Sequence, residues 1–356
     1  MDTDSFELPF LSNLGLMLTY KCTVACPHCL VEAGPHRTEE MRLEDALAWI
    51  EQARSYRGGL IQALALTGGE PFYNEGTLAQ VSAYGQQLGF MISVVTNAYW
   101  APSRDAAHRA LERLPAVQAI TISTDVYHQQ AIPFSFVENA VRAAKALRRV
   151  YNISVCTDSE DDPRFKEVMD DLAAIGEGDN VQVTITLPVG RAAKQVPRDA
   201  YRTAPEPTVC ACPVASSPVI FPNGDVIGCI GPLLTLRSEH PLLLGSLRRQ
   251  TLSDVLDMAE LNPILHAIRV WGPHKLVSLL EQTDWHTLLP AEYICDAACD
   301  VCYKLLSDAR IVAALEEIFQ DERLRQTVAY GRAYYLNETT MAERMNLGGG
   351  GDTAAA

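Results

Sequence analysis

The sequence predicts an α/β protein, a partial (β/α)6 TIM-like barrel followed by a smaller cysteine-bearing unit and C-terminal helices. Three observations predict it. Short apolar or β-branched runs alternate with stretches of helical apolar spacing from Gly15 to about Leu187. Six such runs are too few for an eight-fold barrel, so the expectation is a partial barrel or open sheet of right-handed βαβ units. The cysteines fall in two groups, one just after the first run and one beyond residue 209.

In chain order, strands are expected at Leu16–Tyr20, Leu60–Thr67, Met91–Thr96, Ala119–Ser123, Ile153–Thr157 and Val181–Leu187. Helices are expected at Leu43–Arg54, Leu78–Leu88, Arg104–Leu114, Phe136–Val150 and Arg164–Ile175. Pro188, Pro197, Pro205 and Pro207 mark a crossing segment. A second unit opens near Val209 with a hairpin, Val219 to Ile227, turning at Asn223-Gly224. Ser253–Ile268 reads as a helix capped by Ser253 or Thr251, and Asp308–Met345 as largely helical. The expected units are 1–190, a linker 191–209, a cysteine-bearing unit 210–307, helices 308–346 and a disordered tail 347–356.

Composition narrows the function. Apolar residues make up 48% and charged residues 21% of the chain, ordinary for a globular protein. A net charge of −15 repels phosphate backbones and anionic lipid, so neither nucleic acid nor membrane is an expected partner. The acidic start, Met1 to Glu7, lacks a basic n-region, so a cytoplasmic location is expected. Ten cysteines in a reducing compartment favour metal or redox chemistry over disulfides.

Cys22, Cys26 and Cys29 have a CxxxCxxC spacing on the loop after the first strand. Three thiolates can hold three irons of a cubane cluster and leave the fourth open. A zinc site completed by His28 or His36 is the competing reading. The second strand ends in Leu66-Thr67-Gly68-Gly69-Glu70-Pro71-Phe72. Its glycines let the backbone pass close to a ligand, and Glu70 can accept from an ammonium group.

Taken together, the cysteine loop and Gly68–Pro71 resemble the radical S-adenosylmethionine (radical SAM) superfamily over about the first half of the chain. The resemblance implies that Cys22, Cys26 and Cys29 hold a 4Fe-4S cluster and that SAM chelates its open iron. It also implies that Gly68, Gly69 and Glu70 position the SAM methionine end, and that His28 stands where an aromatic residue packs near adenine. Reductive cleavage of SAM would give a 5′-deoxyadenosyl radical that abstracts a substrate hydrogen. An electron donor such as flavodoxin or ferredoxin is implied.

The other strand ends supply further candidates: Asn97 after the third, Ser123, Asp125 and His128 after the fourth, Gly190 and Arg191 after the sixth. Ser123 and Asp125 are candidates for the SAM ribose, with turn capping the alternative for Asp125. Arg191 is a candidate for the SAM carboxylate. Cys156, ending the fifth strand, is either a buried small hydrophobe or a hydrogen-atom donor to a substrate radical.

The second cysteine group resembles the SPASM or twitch extension of radical SAM enzymes. Because no cysteine follows Cys302, one auxiliary 4Fe-4S cluster is expected, held by Cys212, Cys229, Cys299 and Cys302, with Cys210 and Cys295 in reserve. A structural zinc on the same thiolates is the alternative. Proteins with such an extension modify ribosomally made peptides or oxidise small molecules such as aminosugars. Only 21 residues precede Cys22, which is short for a leader-binding domain, so a peptide substrate implies a separate leader-peptide-binding protein. The expected function is therefore peptide modification, with small-molecule tailoring second and a non-catalytic electron-transfer protein third.

Overall fold

A computed structural model describes residues 11–236 and 238–338; the proposed tail lies outside the described residues. Its first part is a βα alternation: β1 (Asn13–Thr19), α1 (Leu43–Ser55), β2 (Ala63–Gly68), α2 (Glu75–Gln87), β3 (Met91–Thr96), α3 (Arg104–Glu112), β4 (Val117–Ser123), α4 (Phe134–Ala146), β5 (Val150–Thr157), α5 (Pro163–Ala174) and β6 (Val181–Ile185). β1 to β6 pair in sequence order, all parallel. The expected α/β fold is thus present, with its parallel sheet open and no closed barrel among the described residues.

The strands have two unlike faces. Leu64, Leu66, Ile92, Val94, Ile120, Ile122, Ile153 and Val155 are buried to 1% exposure or less, within one apolar core that includes residues of α1 to α5. The alternate positions, Thr67, Ser93, Thr121, Ser123, Ser154 and Cys156, stay partly open. Parallel sheets are ordinarily covered on both faces. Here the second face carries small, uncharged side chains, these polar ones together with Ala65, Val95 and Ala119.

The C-terminal part builds on the same sheet. After α6 (Ala192–Gln195) and β7 (Thr203–Ala204) come β8 (Val219–Ile220), β9 (Asp225–Ile227) and β10 (Leu243–Ser246). The Asn223-Gly224 turn joins β8 to β9, as expected, and β8 pairs with β1 in parallel. Among the described residues the sheet therefore has nine strands, ordered β10-β9-β8-β1-β2-β3-β4-β5-β6. The helices α7 (Leu252–Glu260), α8 (Pro263–Val270) and α9 (His274–Glu281) follow. They lead to β11 (Tyr293–Ile294), which pairs with β7, and to α10 (Ala298–Leu306), α11 (Ala309–Ile318) and α12 (Glu322–Tyr335).

Boundaries shift by up to about three residues at several elements, among them β2, α2 and β5, and three larger differences from the sequence expectation have a local cause. α4 ends at Ala146, four residues early, because Arg148 turns to a positive φ of 54° and releases Val150 into β5. Ser253–Ile268 is two helices, since Pro263 has no N–H to continue the first and Asn262 caps the second through Leu265 N–H. The first of these starts at a Thr251 capping box with Asp254. The expected helix from Asp308 breaks before Asp321, whose carboxylate caps α12. Its last part, from residue 339, lies outside the described residues.

Candidate active site at the end of β1

The chain leaves β1 at Thr19 and carries Cys22, Cys26 and Cys29 around a tight loop. Cys22 and Cys26 are buried and Cys29 is partly open. Burial pushes the Cys22 thiol up to about 12, and Glu70, Cys26 and Cys29 act in the same direction. A bound cation would reverse that balance. Among the described residues, one trio of His, Cys, Asp or Glu has all its ligand atoms within 4.8 Å: His28, Asp125 and His128. The three thiols do not form such a trio. Their soft donor set fits a multi-iron cluster.

Gly68 and Gly69 are required by backbone contact. A Cβ on Gly69 would lie 2.3 Å from the Lys21 carbonyl oxygen, and one on Gly68 would lie 2.5 Å from that of Thr19. The Gly69 and Glu70 amides donate to the Thr19 and Lys21 carbonyls at 2.6 and 2.9 Å. These amides therefore stitch the Gly-Gly turn to the cysteine loop, where the sequence suggested amides open to a ligand.

Glu70 is fully buried. Its carboxylate accepts from Phe72 N–H at 3.0 Å, Asn97 N–H at 2.8 Å and the Thr96 hydroxyl at 2.9 Å. Burial pushes its pKa up to about 7 against these donors. The carboxylate is committed to tying the end of β2 to the end of β3. That differs from the sequence expectation of an ammonium acceptor facing the ligand.

Asp125 sits after β4 and is also buried. One oxygen accepts from Tyr127 N–H and His128 N–H, both at 2.9 Å, which is the turn cap foreseen as an alternative. The other lies 2.7 Å from His128 Nδ1 and 3.6 Å from His28 Nε2. Burial would raise this carboxyl, but the His128 charge and hydrogen bonds hold it down at about 2. Burial also keeps His28 neutral, lowering it to about 4. The His28 ring stacks on Tyr127 at 4.8 Å.

Arg191 donates to the carbonyls of Cys26 at 2.7 Å and Ala33 at 2.5 Å. Gly190, at φ +56°, brings the chain against Leu30. Arg191 therefore pins the cysteine loop from the β6 side. Ser123 and Cys156 lie on the partly open second face of the sheet, and Asp125, Asp158 and Cys26 lie near enough to bear on the Cys156 thiol. The sequence reading missed Tyr127, Asp158 and Thr186. Asp158 accepts from both hydroxyls in a buried network. The signal was available, since Asp158 directly follows β5 as Asn97 follows β3.

In the C-terminal part, the sulfurs of Cys229 and Cys299 both lie beside Gly231. Burial raises Cys302 well above the usual thiol range, and Cys229, Cys212 and Cys299 raise it further. These four residues thus converge, with Cys210 near Cys212 and Cys299. Cys295 instead pairs with Arg202.

No helix among the described residues is long and apolar enough to cross a membrane. No curated protein matches the chain. The solved structure "Native anSMEcpe with bound AdoMet" is similar in fold at 13% identity and TM-score 0.54, covering 94% of this chain and 99% of that one. A histidine-tagged form of anSMEcpe with bound AdoMet is similar at 15% identity and TM-score 0.52, covering 94% and 98%. "Crystal structure of BtrN in complex with AdoMet and 2-DOIA" matches at 15% identity and TM-score 0.37, covering 71% and 87%. Residues 16–172, which hold both the cysteine loop and the Gly-Gly turn, match the family model described as Radical SAM superfamily.

Proposed function

We propose that the chain is a radical SAM enzyme. The observation that carries the reading is the joining of Cys22–Cys29 to Gly68–Glu70 at the C-terminal edge of an open parallel sheet. That is where α/β proteins place ligands. Cys22, Cys26 and Cys29 would hold a 4Fe-4S cluster, and SAM would lie between the loop and the second face of the sheet. His28, Asn97, Ser123 and Asp125 are our polar candidates to contact it. Glu70 and Arg191 contribute by fixing the loop. The chemistry the pair supplies when bound is reductive cleavage of SAM to methionine and a carbon radical able to take hydrogen from an unactivated C–H bond.

The protein's own part is to hold that site dry and to offer the small, uncharged second face of the sheet to the substrate. Cys156, at the end of β5, is our candidate to give a hydrogen atom back. A second 4Fe-4S cluster would sit on Cys212, Cys229, Cys299 and Cys302. We put modification of a ribosomally made peptide first, presented by a separate leader-binding protein, with flavodoxin or ferredoxin as electron donor. A small-molecule substrate is the second reading.

Anaerobic reconstitution tests the chemistry. Reduced protein should convert SAM to 5′-deoxyadenosine, and Cys22→Ala, Cys26→Ala or Cys29→Ala should abolish it. A reconstituted wild type that makes no 5′-deoxyadenosine would favour a non-catalytic electron-transfer protein. Calorimetric binding of a precursor peptide separates the two substrate classes.

A further inference from the structure

We propose that Asn97 is a positioning residue for the N-terminal cysteine site, donating a side-chain hydrogen bond to the Cys22 sulfur, and that the buried Glu70 carboxylate holds it there. The inference rests on the iron–sulfur reading above.

Asn97 is buried, at 5% exposure, as is Cys22. Its amide Nδ2 lies 3.6 Å from Cys22 Sγ and 3.4 Å from Thr23 Oγ1. The orientation of the amide is settled by its other end, since Oδ1 accepts from Tyr99 N–H at 3.1 Å. A carbonyl oxygen must face that donor, so the NH2 group must face the sulfur. The backbone of Asn97 is fixed in turn. Its N–H donates to Glu70 at 2.8 Å, and the same carboxylate takes the hydroxyl of Thr96. Thr96 also accepts from Ala98 N–H at 3.1 Å and Trp100 Nε1–H at 2.9 Å. The glutamate of the Gly-Gly-Glu-Pro turn is therefore connected to the cysteine site through Asn97, just past the next strand, with Thr96 at that strand's end bracing the same carboxylate.

A donor aimed at a thiolate ligand withdraws electron density from it. It stabilises the state carrying more negative charge, and so favours the reduced cluster. Cys29 Sγ has a comparable donor, Ala33 N–H at 3.3 Å, but that one is main chain. The Asn97 donor, unlike that one, is a side chain and can be removed by substitution.

The test is an EPR-monitored redox titration of the reconstituted protein, following the cluster signal that changes on adding SAM. Asn97→Leu should move the midpoint to more negative potential. Glu70→Gln also removes a negative charge that bears on Cys22, which by itself moves the midpoint positive, so its share through Asn97 is read in a cycle: the Glu70→Gln shift should be more negative in the wild-type background than in Asn97→Leu. Thr23→Val, which removes only the competing acceptor, should not move it negative. A wild-type midpoint in Asn97→Leu overturns the proposal. If Asn97→Leu takes up no iron, Asn97→Ala is titrated in its place, and a wild-type midpoint there overturns it. A wild-type protein that binds no iron at Cys22, Cys26 and Cys29 removes the underlying reading instead, and iron analysis tells that failure from an unshifted potential.

Discussion

At the scale of residues, the site is shaped by main-chain proximity as much as by ligand chemistry. Gly69 has no room for a side chain, because the Lys21 carbonyl stands where a Cβ would be. Gly69→Ala should push the turn off the cysteine loop and cost on the order of 3 kcal/mol, read as a lower midpoint in chemical denaturation. Loss of iron uptake should accompany it. The sequence revealed which residues gather here, since cysteine spacing and the Gly-Gly-Glu-Pro order are local facts. It did not reveal what each does. Glu70 and Arg191 are charged residues beside a candidate ligand site, and spacing alone assigns them to the ligand. Only the fold shows their charges spent on Asn97, Thr96 and the carbonyls of Cys26 and Ala33.

At the scale of elements, β1 to β6 and their helices were legible because each carries its own periodicity and faces one core. The splitting of Ser253–Ile268 was less so, since apolar spacing runs on through Asn262-Pro263. β8 was visible as half of a hairpin, but not as the partner of β1, which is a contact between distant parts of the chain. The segment leading into β10 carries a titratable element. His240 is 5% exposed, and its Nδ1 accepts from Leu242 N–H at 3.3 Å. Burial lowers its pKa to about 4. A histidine depressed in the fold contributes stability that is full above its unfolded value near 6.5 and is lost as pH falls toward 4. His28 has the same sign. The urea midpoint should therefore fall between pH 6.5 and 4, with the slope reduced in His240→Asn. A pH-independent wild-type midpoint across that window would count against it.

At the scale of the whole molecule, the two cysteine groups belong to one folded body. Cys229 follows β9 in the nine-stranded sheet, and Cys299 and Cys302 ride on α10. Their mutual placement predicts separable metal loading. Cys302→Ala should take iron from about eight to about four per chain while SAM cleavage persists, and about four irons with one zinc in the wild type would sink the auxiliary-cluster reading. The pairing of β8 with β1 has one more consequence. The strand that delivers the cysteine loop is not an edge. It is clamped on one side by β2 and on the other by a strand made some two hundred residues later. The segment that matches a family model, residues 16–172, therefore lacks the strand that covers one flank of β1. During synthesis the contacts of Gly69, Glu70 and Arg191 with the cysteine loop become available first, and the other flank of β1 stays open until residues 219 and 220 arrive.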